Sequence, residues 1–309
     1  MKSIATLTMN PTIDVAYEVA QVRHTHKIRA TSEYHNPGGG GINVARVYVR
    51  LGGNARCYYL AGGATGVALD GLLDVHHLVR NKIEIAGETR IAANVIETET
   101  GKEYRFVPAG PQVDAAEWGA CLKAVEQLEC DYLVVSGSLP PGVPDDFYAQ
   151  LSALVRPRGI RIVLDSSGPA LREGLAAGGI HLVKPSCGEL QALVGRPLPD
   201  TDAIAAAARE LVTGGKAEIV AVTMGHEGAL LAHAGGTHFL PAIPIEVKSA
   251  VGAGDSFVAG MIWALSDGQE IEQAFRYGMA AGTAAVLRPG TDLARPDDID
   301  HMLTLLPPS

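Results

Sequence analysis

The sequence is poor in cysteine, with four among 309 residues. They lie far apart, without a CxxC pair or a histidine-rich neighbourhood, at Cys57, Cys121, Cys130 and Cys187. This spacing indicates neither a disulfide framework nor a zinc site, and we expect buried or incidental thiols. The histidines, such as His76 and His77, also lack a metal-ligand spacing, so solvated or capping roles are expected for them.

An excess of positive charge is also missing. Lysine and arginine number 25 against 34 acidic residues, which gives a formal net charge of -9. Nonspecific binding to nucleic acid or to an anionic membrane depends on a basic surface, so we expect neither partner. An anionic ligand must instead be held locally, by N–H groups at helix starts and by a few arginines.

No long apolar run occurs that would reach the roughly 18 residues of a membrane span. The N-terminal stretch MKSIATLTMNPTID turns polar too early for the apolar region of a signal peptide, so a cytoplasmic location is expected. With 47% hydrophobic residues, the chain is long enough for one large α/β core or two small domains.

Short apolar runs typical of strands alternate with helical patterns along the chain. The strand-like runs are SIATLTM, ARCYYLA, YLVVSG, RIVLDS and IVAVTM, and the clearest helical patterns cover residues 202–212 and 270–287. This alternation predicts an α/β fold with a doubly wound, mostly parallel sheet. Continuous apolar character within the runs predicts strands covered by helices on both faces.

Two segments interrupt this alternation, at residues 12–34 and 82–107. Polar and apolar residues alternate in both, with no convincing helical period, which predicts antiparallel strands. We expect them to form a small β-sheet that serves as a lid or as a dimer surface. The organisation predicted is a single α/β domain over residues 1–309, with the two lid segments inserted.

A glycine run, Gly38 to Gly41, follows Pro37 and precedes a helical pattern that extends from Ile42 to Leu51. Glycines permit positive φ and close approach of a ligand, and free N–H groups at the helix start favour anions or hydroxyls. A flexible turn is the alternative. It is disfavoured because ordering four glycines costs conformational entropy.

The second glycine-rich stretch is VGAGDS, in which Gly252 and Gly254 precede Asp255 at the start of an apolar helical segment. An acid in a first helical turn is stabilised by the helix dipole, so a simple capping role is one interpretation. The glycine pair favours a ligand site instead, where amide groups meet developing charge and the carboxylate accepts a proton. Neither GxxxxGK[ST] nor GxGxxG occurs, and GGATG at residues 62–66 is only a weak dinucleotide signal.

The stretches NPGGGGINVARVYVRLGG and VGAGDSFVAGMIWAL together resemble the paired signatures of the ribokinase-like PfkB sugar kinases, and the resemblance spans nearly the whole chain. TLTMNPTID, AGGATG, YRFVPAGP, SGSLPPGV, LDSSG and LVKP are most similar to its 6-phosphofructokinase branch. The resemblance implies a ribokinase-like fold. It also implies transfer of the ATP γ-phosphoryl group to the 1-hydroxyl of fructose 6-phosphate, giving fructose 1,6-bisphosphate and ADP.

The same resemblance assigns roles to individual residues. It implies Asp255 as the base, with the Ala253 and Gly254 amides forming an anion hole beside Gly252. The sugar pocket implied is lined by Asp14, Gly38, Gly39 and Asn43. Asp14 as a turn residue and Asn43 as a surface helix position are the alternatives.

For the sugar phosphate, the resemblance implies binding of the 6-phosphate by Arg90 and Ser138, with Arg105 nearby on the lid strands. Arg29, on the other lid segment, is implied to reach in from a partner subunit if the lids pair in a homodimer. The alternative is that these arginines of the lid are solvent-exposed and bind no ligand. This alternative is favoured more for Arg105 than for Arg90.

The nucleotide and ion sites follow from the same resemblance. ATP is expected at Lys184, Ser186, Glu189, Thr223, Gly225 and Gly228, with Mg²⁺ held through water by Glu189. Many relatives carry Asn-x-x-Glu where this chain has Ser186 to Glu189, but a hydroxyl can hold a metal-bound water. Gly188 is not basic, which disfavours a regulatory nucleotide site. A K⁺ site is implied at Ser249, Val251, Ala285 and Gly290.

Two alternatives remain open. A 1-phosphofructokinase or tagatose-6-phosphate kinase would share SGSLPPG and VGAGDS, although the former is expected to carry a lysine in the glycine run, which here reads GGGGIN. A sugar-phosphate sensor without catalysis would fit Ser186 in the metal motif. The presence of Asp255 and Glu189 disfavours the sensor, because a pure binding protein needs no positioned base.

Overall fold

The structure is a computed structural model that describes residues 2–288 and 290–307. Within these ranges the chain forms thirteen strands and ten α-helices. The strands are β1 (Ile4–Thr8), β2 (Thr12–Val19), β3 (Ser32–Gly38), β4 (Ala55–Ala61), β5 (Val79–Glu84), β6 (Arg90–Glu97), β7 (Glu103–Phe106), β8 (Tyr132–Ser136), β9 (Arg161–Asp165), β10 (Ile180–Val183), β11 (Ala217–Thr223), β12 (Gly228–His233) and β13 (Gly236–Pro241).

The helices are α1 (Gly40–Arg50), α2 (Gly63–Val75), α3 (Ala115–Glu126), α4 (Phe147–Val155), α5 (Gly168–Ala176), α6 (Cys187–Val194), α7 (Thr201–Thr213), α8 (Ala253–Ser266), α9 (Ile271–Val286) and α10 (Pro296–Leu305). Among the described residues, none of these helices combines the length and the apolar character needed to cross a membrane.

Nine strands form the main sheet, in the order β13-β12-β11-β10-β9-β8-β1-β4-β5. All neighbours from β5 to β11 run parallel, and β12 and β13 add an antiparallel edge. The mostly parallel α/β sheet predicted from the sequence is confirmed. Each of the five strand-like runs named above overlaps one of its strands.

Helices cover both faces of this sheet, because its strands are apolar on both sides. In β8, Val134 belongs to the same core as residues of α1, α8 and α9, whereas Leu133 and Val135 belong to the core on the opposite face, which includes residues of α3, α4 and α7. β9 repeats the division, with Val163 on the first face and Leu164 on the second. Successive side chains of a strand point to opposite faces, so a continuous apolar run fills two cores.

The second sheet has four strands in the order β3-β2-β6-β7. Three of them lie within the two segments that interrupt the α/β alternation, and β3 begins in the first segment and extends beyond it to Gly38. Its outer pairs, β2–β3 and β6–β7, are antiparallel as predicted. The central pair, β2–β6, is parallel, with Thr12 opposite Arg90 and Val19 opposite Glu97. β5, which overlaps the start of the 82–107 segment, pairs with β4 in the main sheet instead.

All four cysteines are free thiols. Cys57 and Cys121 are fully buried, and burial raises the pKa of each thiol to about 12. Both therefore stay protonated at neutral pH and pack as small apolar side chains.

Candidate functional site

A polar cleft of about 320 Å³ lies between the carboxyl ends of the main-sheet strands and the four-stranded sheet. The main sheet contributes the ends of β8 and β9, together with the starts of α1 and α8, and the second sheet contributes β2, β6 and β7. Ligands of open α/β sheets bind at the carboxyl ends of strands. The predicted residues that line the cleft are Asp14, Gly39, Asn43, Arg90, Arg105, Ser138, Glu189, Val251, Gly252 and Asp255.

Helix α8 begins at the second glycine-rich stretch, beside the cleft. Gly252 caps it with a φ of 73°, and a Cβ there would lie 2.3 Å from Leu293 Cδ2, so only glycine fits this turn. The first turn includes Ala253, Gly254 and Asp255. Amides at a helix start lack intrahelical acceptors and carry partial positive charge, which favours an anion at this end of α8.

Asp255 is half-buried at the floor of the cleft and accepts a hydrogen bond of 2.9 Å from Asn43 Nδ2. Burial, followed by the nearby Asp165 carboxylate, raises the pKa of Asp255 to about 7, against opposing effects of the Asn43 hydrogen bond and Lys184. A carboxylate that titrates near neutral pH is suited to accept a proton.

A second carboxylate, Asp14 on β2, faces the same cleft. Burial raises its pKa to about 6, and the Arg46 guanidinium is the strongest of the neighbours that oppose the rise. Gly38 lies against this side chain, because a Cβ at Gly38 would approach Asp14 Oδ2 to 2.1 Å. Asp14 and Asn43 together offer donors and acceptors suited to a ligand rich in hydroxyl groups.

The cleft also holds two arginines on the strands of the second sheet. Arg90 donates hydrogen bonds to the backbone oxygens of Asn10 at 2.7 Å, Pro108 at 2.9 Å and Pro11 at 3.4 Å. These bonds use three of its five N–H groups and fix the guanidinium in position. Arg105 is exposed and lines the cleft beside it.

Asn10, at the end of β1, holds this side of the cleft together and was not identified from the sequence. Its Nδ2 atom donates to Ala109 O at 2.9 Å and to Ser138 Oγ at 3.3 Å. Ser138 is thereby fixed next to the loop that carries Arg90's acceptor Pro108. Polar residues that directly follow a buried strand are the sequence signal that was available for Asn10.

Arg29 does not lie with the others. It is exposed in the segment between β2 and β3 and is not among the residues that line the cleft. The contact predicted for Arg29 is with the cleft of a partner subunit, and it stays a prediction.

On the other side of Asp255 lies a buried ion pair, with Lys184 Nζ 3.2 Å from Asp165 Oδ1. Lys184 follows β10 and lies against the α8 start, since a Cβ at Gly254 would be 3.3 Å from its Nζ atom. Burial raises the pKa of Asp165, whereas the Asp165 charge raises the pKa of Lys184 despite its burial. Asp165 belongs to the LDSSG stretch and was not identified from the sequence, although an acid at the carboxyl end of a buried strand is a site signal.

Ser186 and Glu189 form a capping box at the start of α6. The Ser186 hydroxyl donates to Glu189 Oε2 at 2.9 Å and accepts from the Glu189 amide at 3.2 Å. The Ser186 amide also donates to Oε2, at 2.7 Å. The hydroxyl thus fixes the Glu189 carboxylate and is itself engaged. Glu189 and Asp165 both line the cleft and supply the oxygen ligands that Mg²⁺ prefers.

The other residues predicted for a nucleotide lie beside α6, at the carboxyl end of the neighbouring strand. Thr223 ends β11, and its amide donates to Pro185 O at 3.0 Å. Gly225 and Gly228 follow in the turn between β11 and β12, both with positive φ. They do not line the described cleft.

The segments predicted for a monovalent cation are joined by backbone hydrogen bonds. The amides of Lys248 and Ser249 both donate to Val286 O, at 2.8 and 3.5 Å. This contact places Ser249 and Val251, before α8, next to the end of α9. The remaining residues predicted for this site, Ala285 and Gly290, lie at and beyond that end.

Away from the cleft, a cluster that sequence spacing did not indicate joins two histidines to one acid. His233 Nε2 and His238 Nε2 lie 3.1 and 3.5 Å from Glu272 Oε1. The Gly235 amide donates to His233 Nδ1, so that nitrogen is the acceptor and Nε2 carries the proton toward Glu272. A metal at Nε2 would require the opposite tautomer, and the cluster is better explained by the Glu272 carboxylate lying beside the two imidazole rings.

Comparison with known proteins places this geometry in context. Residues 7–298 match the model of the pfkB family carbohydrate kinases. The ATP-dependent 6-phosphofructokinase isozyme 2 of Escherichia coli is 40% identical over 307 residues, covering 99% of each chain. The 1-phosphofructokinase of Bacillus subtilis is 32% identical over 282 residues, covering 91% of each.

Solved structures give the same relationships. Phosphofructokinase-2 of Escherichia coli is 40% identical. It superposes with a TM-score of 0.93 in complex with fructose 6-phosphate (99% of each chain covered) and 0.94 in complex with potassium (98% and 99%). A tetrameric inhibited form of that protein has a TM-score of 0.93, with 98% and 99% covered. Ribokinase of Arabidopsis thaliana, 19% identical with a TM-score of 0.75 over 98% of each chain, shares the fold.

Proposed function

This chain belongs to the pfkB family of carbohydrate kinases, and we propose that it transfers the γ-phosphoryl group of ATP to the 1-hydroxyl of fructose 6-phosphate. The products are fructose 1,6-bisphosphate and ADP. The observation that carries the proposal is Asp255, a carboxylate with a pKa of about 7 in the first turn of α8, in a cleft lined by arginines. Identity of 40% to a 6-phosphofructokinase over almost the whole chain supports the same substrate.

The second sheet and α1 bind the sugar phosphate in this proposal. The Asp14 carboxylate accepts hydrogen bonds from the sugar hydroxyls, and the Asn43 NH₂ group donates to them. Gly38 and Gly39 leave room for the ring. The 6-phosphate lies against Arg90, Arg105 and Ser138. Arginine suits this role because it remains charged at every working pH and presents paired N–H groups to phosphate oxygens.

Asp255 acts as the general base. As its carboxylate takes the proton of the 1-hydroxyl, the sugar oxygen forms a bond to the γ-phosphorus and the bond to the β-phosphate oxygen breaks, releasing ADP. Phosphoryl transfer depends mainly on positioning and on neutralising charge. The Ala253 and Gly254 amides at the positive end of α8, with Lys184 beside them, supply that neutralisation.

On the nucleotide side, ATP lies across the ends of β10 and β11, against Thr223, Gly225 and Gly228. Mg²⁺ is held by Glu189, which Ser186 orients through the capping box, together with Asp165. When bound, the ion neutralises charge on the phosphate oxygens. A K⁺ ion is proposed at the backbone carbonyls of the joined segments, from Ser249, Val251, Ala285 and Gly290.

The experiment that tests this function is a coupled assay of ADP release from Mg-ATP. The acceptors are fructose 6-phosphate, fructose 1-phosphate, tagatose 6-phosphate and unphosphorylated fructose. We expect the highest kcat/KM with fructose 6-phosphate. The arginines of the second sheet place a phosphate at the end of the sugar remote from Asp255, which disfavours fructose 1-phosphate and fructose, and the 40% identity to a 6-phosphofructokinase favours fructose 6-phosphate over tagatose 6-phosphate.

The other outcomes of this assay are also informative. A higher kcat/KM with fructose 1-phosphate or tagatose 6-phosphate would reassign the substrate within the family. Saturable sugar binding without turnover of any acceptor would instead make the chain a sugar-phosphate sensor.

We further propose that two chains pair as a homodimer through the second sheet, with Arg29 reaching the cleft of the partner. Several large apolar side chains of the two lid segments are exposed: Val22, Ile28, Tyr34, Ile91, Phe106 and Val107. Both outer strands, β3 and β7, also present unpaired edges. Exposed apolar side chains on a small sheet are stabilised when a second copy of this chain covers them, which favours a dimer through this sheet.

Replacement of Tyr34 with aspartate is expected to shift the dimer to monomer, because a charge would be buried at the interface. Tyr34 is 58% exposed on β3. Val67→Asp is the matched control, since Val67 is 67% exposed but lies on α2, outside the second sheet. Light scattering after gel filtration measures both masses. Loss of the dimer in both variants, or a monomeric parent chain, would contradict this interface.

A further inference from the structure

An arginine is buried directly beneath the cleft, and no step proposed above uses it. Arg46 lies on α1, with 2% of its surface exposed. Its Nη1 atom donates to Pro37 O at 2.9 Å and to Asn43 Oδ1 at 3.2 Å, and its Nη2 atom donates to Asn36 Oδ1 at 3.1 Å. All three acceptors are uncharged oxygens. Burial lowers the pKa of Arg46 to about 10.

A buried guanidinium with neutral acceptors is a poor way to stabilise a fold. Removing a cation from water costs several kcal/mol even after relaxation, and an apolar side chain of similar volume often serves packing better. Arg46 therefore has to be explained by what its donors do to the groups around it.

The effect of Arg46 on Asn43 follows from donor and acceptor types. Arginine only donates hydrogen bonds, so the Asn43 side-chain oxygen must face Arg46. The Asn43 NH₂ group then has one direction left, toward Asp255, where it donates at 2.9 Å. In the opposite orientation, the Asn43 NH₂ group would face the Arg46 guanidinium, donor against donor. The Asn43 oxygen would face the Asp255 carboxylate, acceptor against acceptor, and both hydrogen bonds would be lost.

The same rule fixes the other side of the guanidinium. The Asn36 oxygen faces Arg46, and its NH₂ group donates to Thr291 Oγ1 at 2.9 Å. One buried cation therefore sets two amide orientations and connects β3, α1 and the segment after α9.

We propose that Arg46 is a positioning residue for the kinase reaction: it fixes the Asn43 carboxamide so that its NH₂ group holds the Asp255 carboxylate in place for proton transfer. Arg46 itself touches neither substrate nor the reacting atoms. This inference rests on the proposed function, in which Asp255 is the base.

Removal of Arg46 is expected to raise the pKa of Asp255 for two reasons. The Asn43 amide becomes free to rotate away from the carboxylate, and a positive charge near the carboxylate is lost. The groups that face Asp255 from the elements packed around it are Asn43 and Arg46 of α1, Asp14 of β2, Asp165 at the end of β9 and Lys184 after β10. Only the first two change in this experiment.

The test compares Arg46→Met with Arg50→Met. Arg50 lies one turn later on α1 and bonds to Leu293 O, Ala294 O and Asp292, so it is a matched arginine without contact to Asn43. We expect Arg46→Met to lower kcat on the order of 10²-fold, as for a misplaced catalytic group. The acid limb of kcat/KM should move to higher pH. Arg50→Met should retain the parent kcat and acid limb.

A double-mutant cycle adds a readout that a merely structural role would not move. Because Arg46 acts through Asn43, Arg46→Met should lower kcat little further in an Asn43→Ala background. If Arg46→Met does not fold, Arg46→Lys decides, since one ammonium cannot replace the planar fork and should lower kcat by about tenfold. Full additivity in the cycle, or parent kcat and acid limb in the folded Arg46 variant, would overturn the proposal.

A measurement without turnover separates this proposal from the proposed function. ¹³C NMR of labelled aspartate carboxyls, with Asp255→Asn to assign the signal, follows the Asp255 titration in the free protein. A higher pKa in the Arg46 variant than in the parent is expected even if no sugar is phosphorylated. An unchanged Asp255 pKa would refute the positioning role, whereas absence of turnover in the parent chain would refute only the kinase assignment.

Discussion

Asp255→Asn is expected to lower kcat by about 10²- to 10⁴-fold, the usual contribution of a general base. Asparagine has nearly the same shape as aspartate but cannot accept the proton of the sugar hydroxyl. The substrate contacts at Asp14 and Arg90 are untouched, so KM for fructose 6-phosphate should change little. Steady-state kinetics at saturating Mg-ATP measure both quantities, and a kcat near that of the parent would remove Asp255 from the role of base.

Unfolding measurements supply the control for this variant. The pKa of Asp255 rises from 3.8 to about 7 on folding, so between these values the folded chain binds more protons than the unfolded chain. The contribution of Asp255 to stability is therefore full below about pH 4 and is lost as the pH rises to about 7. Asparagine carries no charge, so at pH 8 we expect the variant to be at least as stable as the parent.

Lys184→Met is expected to lower the free energy of unfolding by about 3 to 5 kcal/mol, because removal of one partner leaves a buried charge unpaired. Lys184 and Asp165 have only 7% and 15% of their side chains exposed. Turnover should also fall sharply, since Lys184 lies against the α8 start. Urea unfolding at pH 7 measures the stability change.

The double variant Asp165→Asn with Lys184→Met is the matched control for that prediction. It removes both charges, so most of the lost stability should return while turnover remains low. A loss below about 1 kcal/mol in Lys184→Met alone would mean that water or local movement compensates the Asp165 charge, and that the pair contributes little to the fold.

The fold was largely predictable from the sequence because its signals are local. Continuous apolar runs such as YLVVS indicate strands buried on both faces, and the alternating pattern of residues 90–97 indicates a strand of the second sheet. The parallel pairing of β2 with β6 was not predicted. Strand alternation specifies which side chains share a face, but not which distant strand becomes the neighbour.

The candidate site was predictable where glycines or a resemblance marked it, as at Gly39 and Asp255. The role of Arg46 was not predictable. An arginine in a helical sequence is usually exposed, and nothing in the sequence of α1 indicates that this one is buried. For Ser186, a different sequence signal was available: Ser-x-x-Glu is the capping-box pattern, and the structure uses the hydroxyl in that way.

The hydrogen bonds of the Arg46 network have a consequence for how the protein is made. Asn43 and Asp255 are 212 positions apart in the chain, and Asn36 and Thr291 are 255 apart. During synthesis, β3 and α1 leave the ribosome long before α8 exists, so the NH₂ groups of Asn36 and Asn43 stay in water without their distant acceptors. Contacts of such separation cost more loop-closure entropy in folding than local contacts do. A nascent chain that already carries the sugar-binding residues of β2 and α1 therefore still lacks the base, and kinase activity cannot appear before α8 has been synthesised.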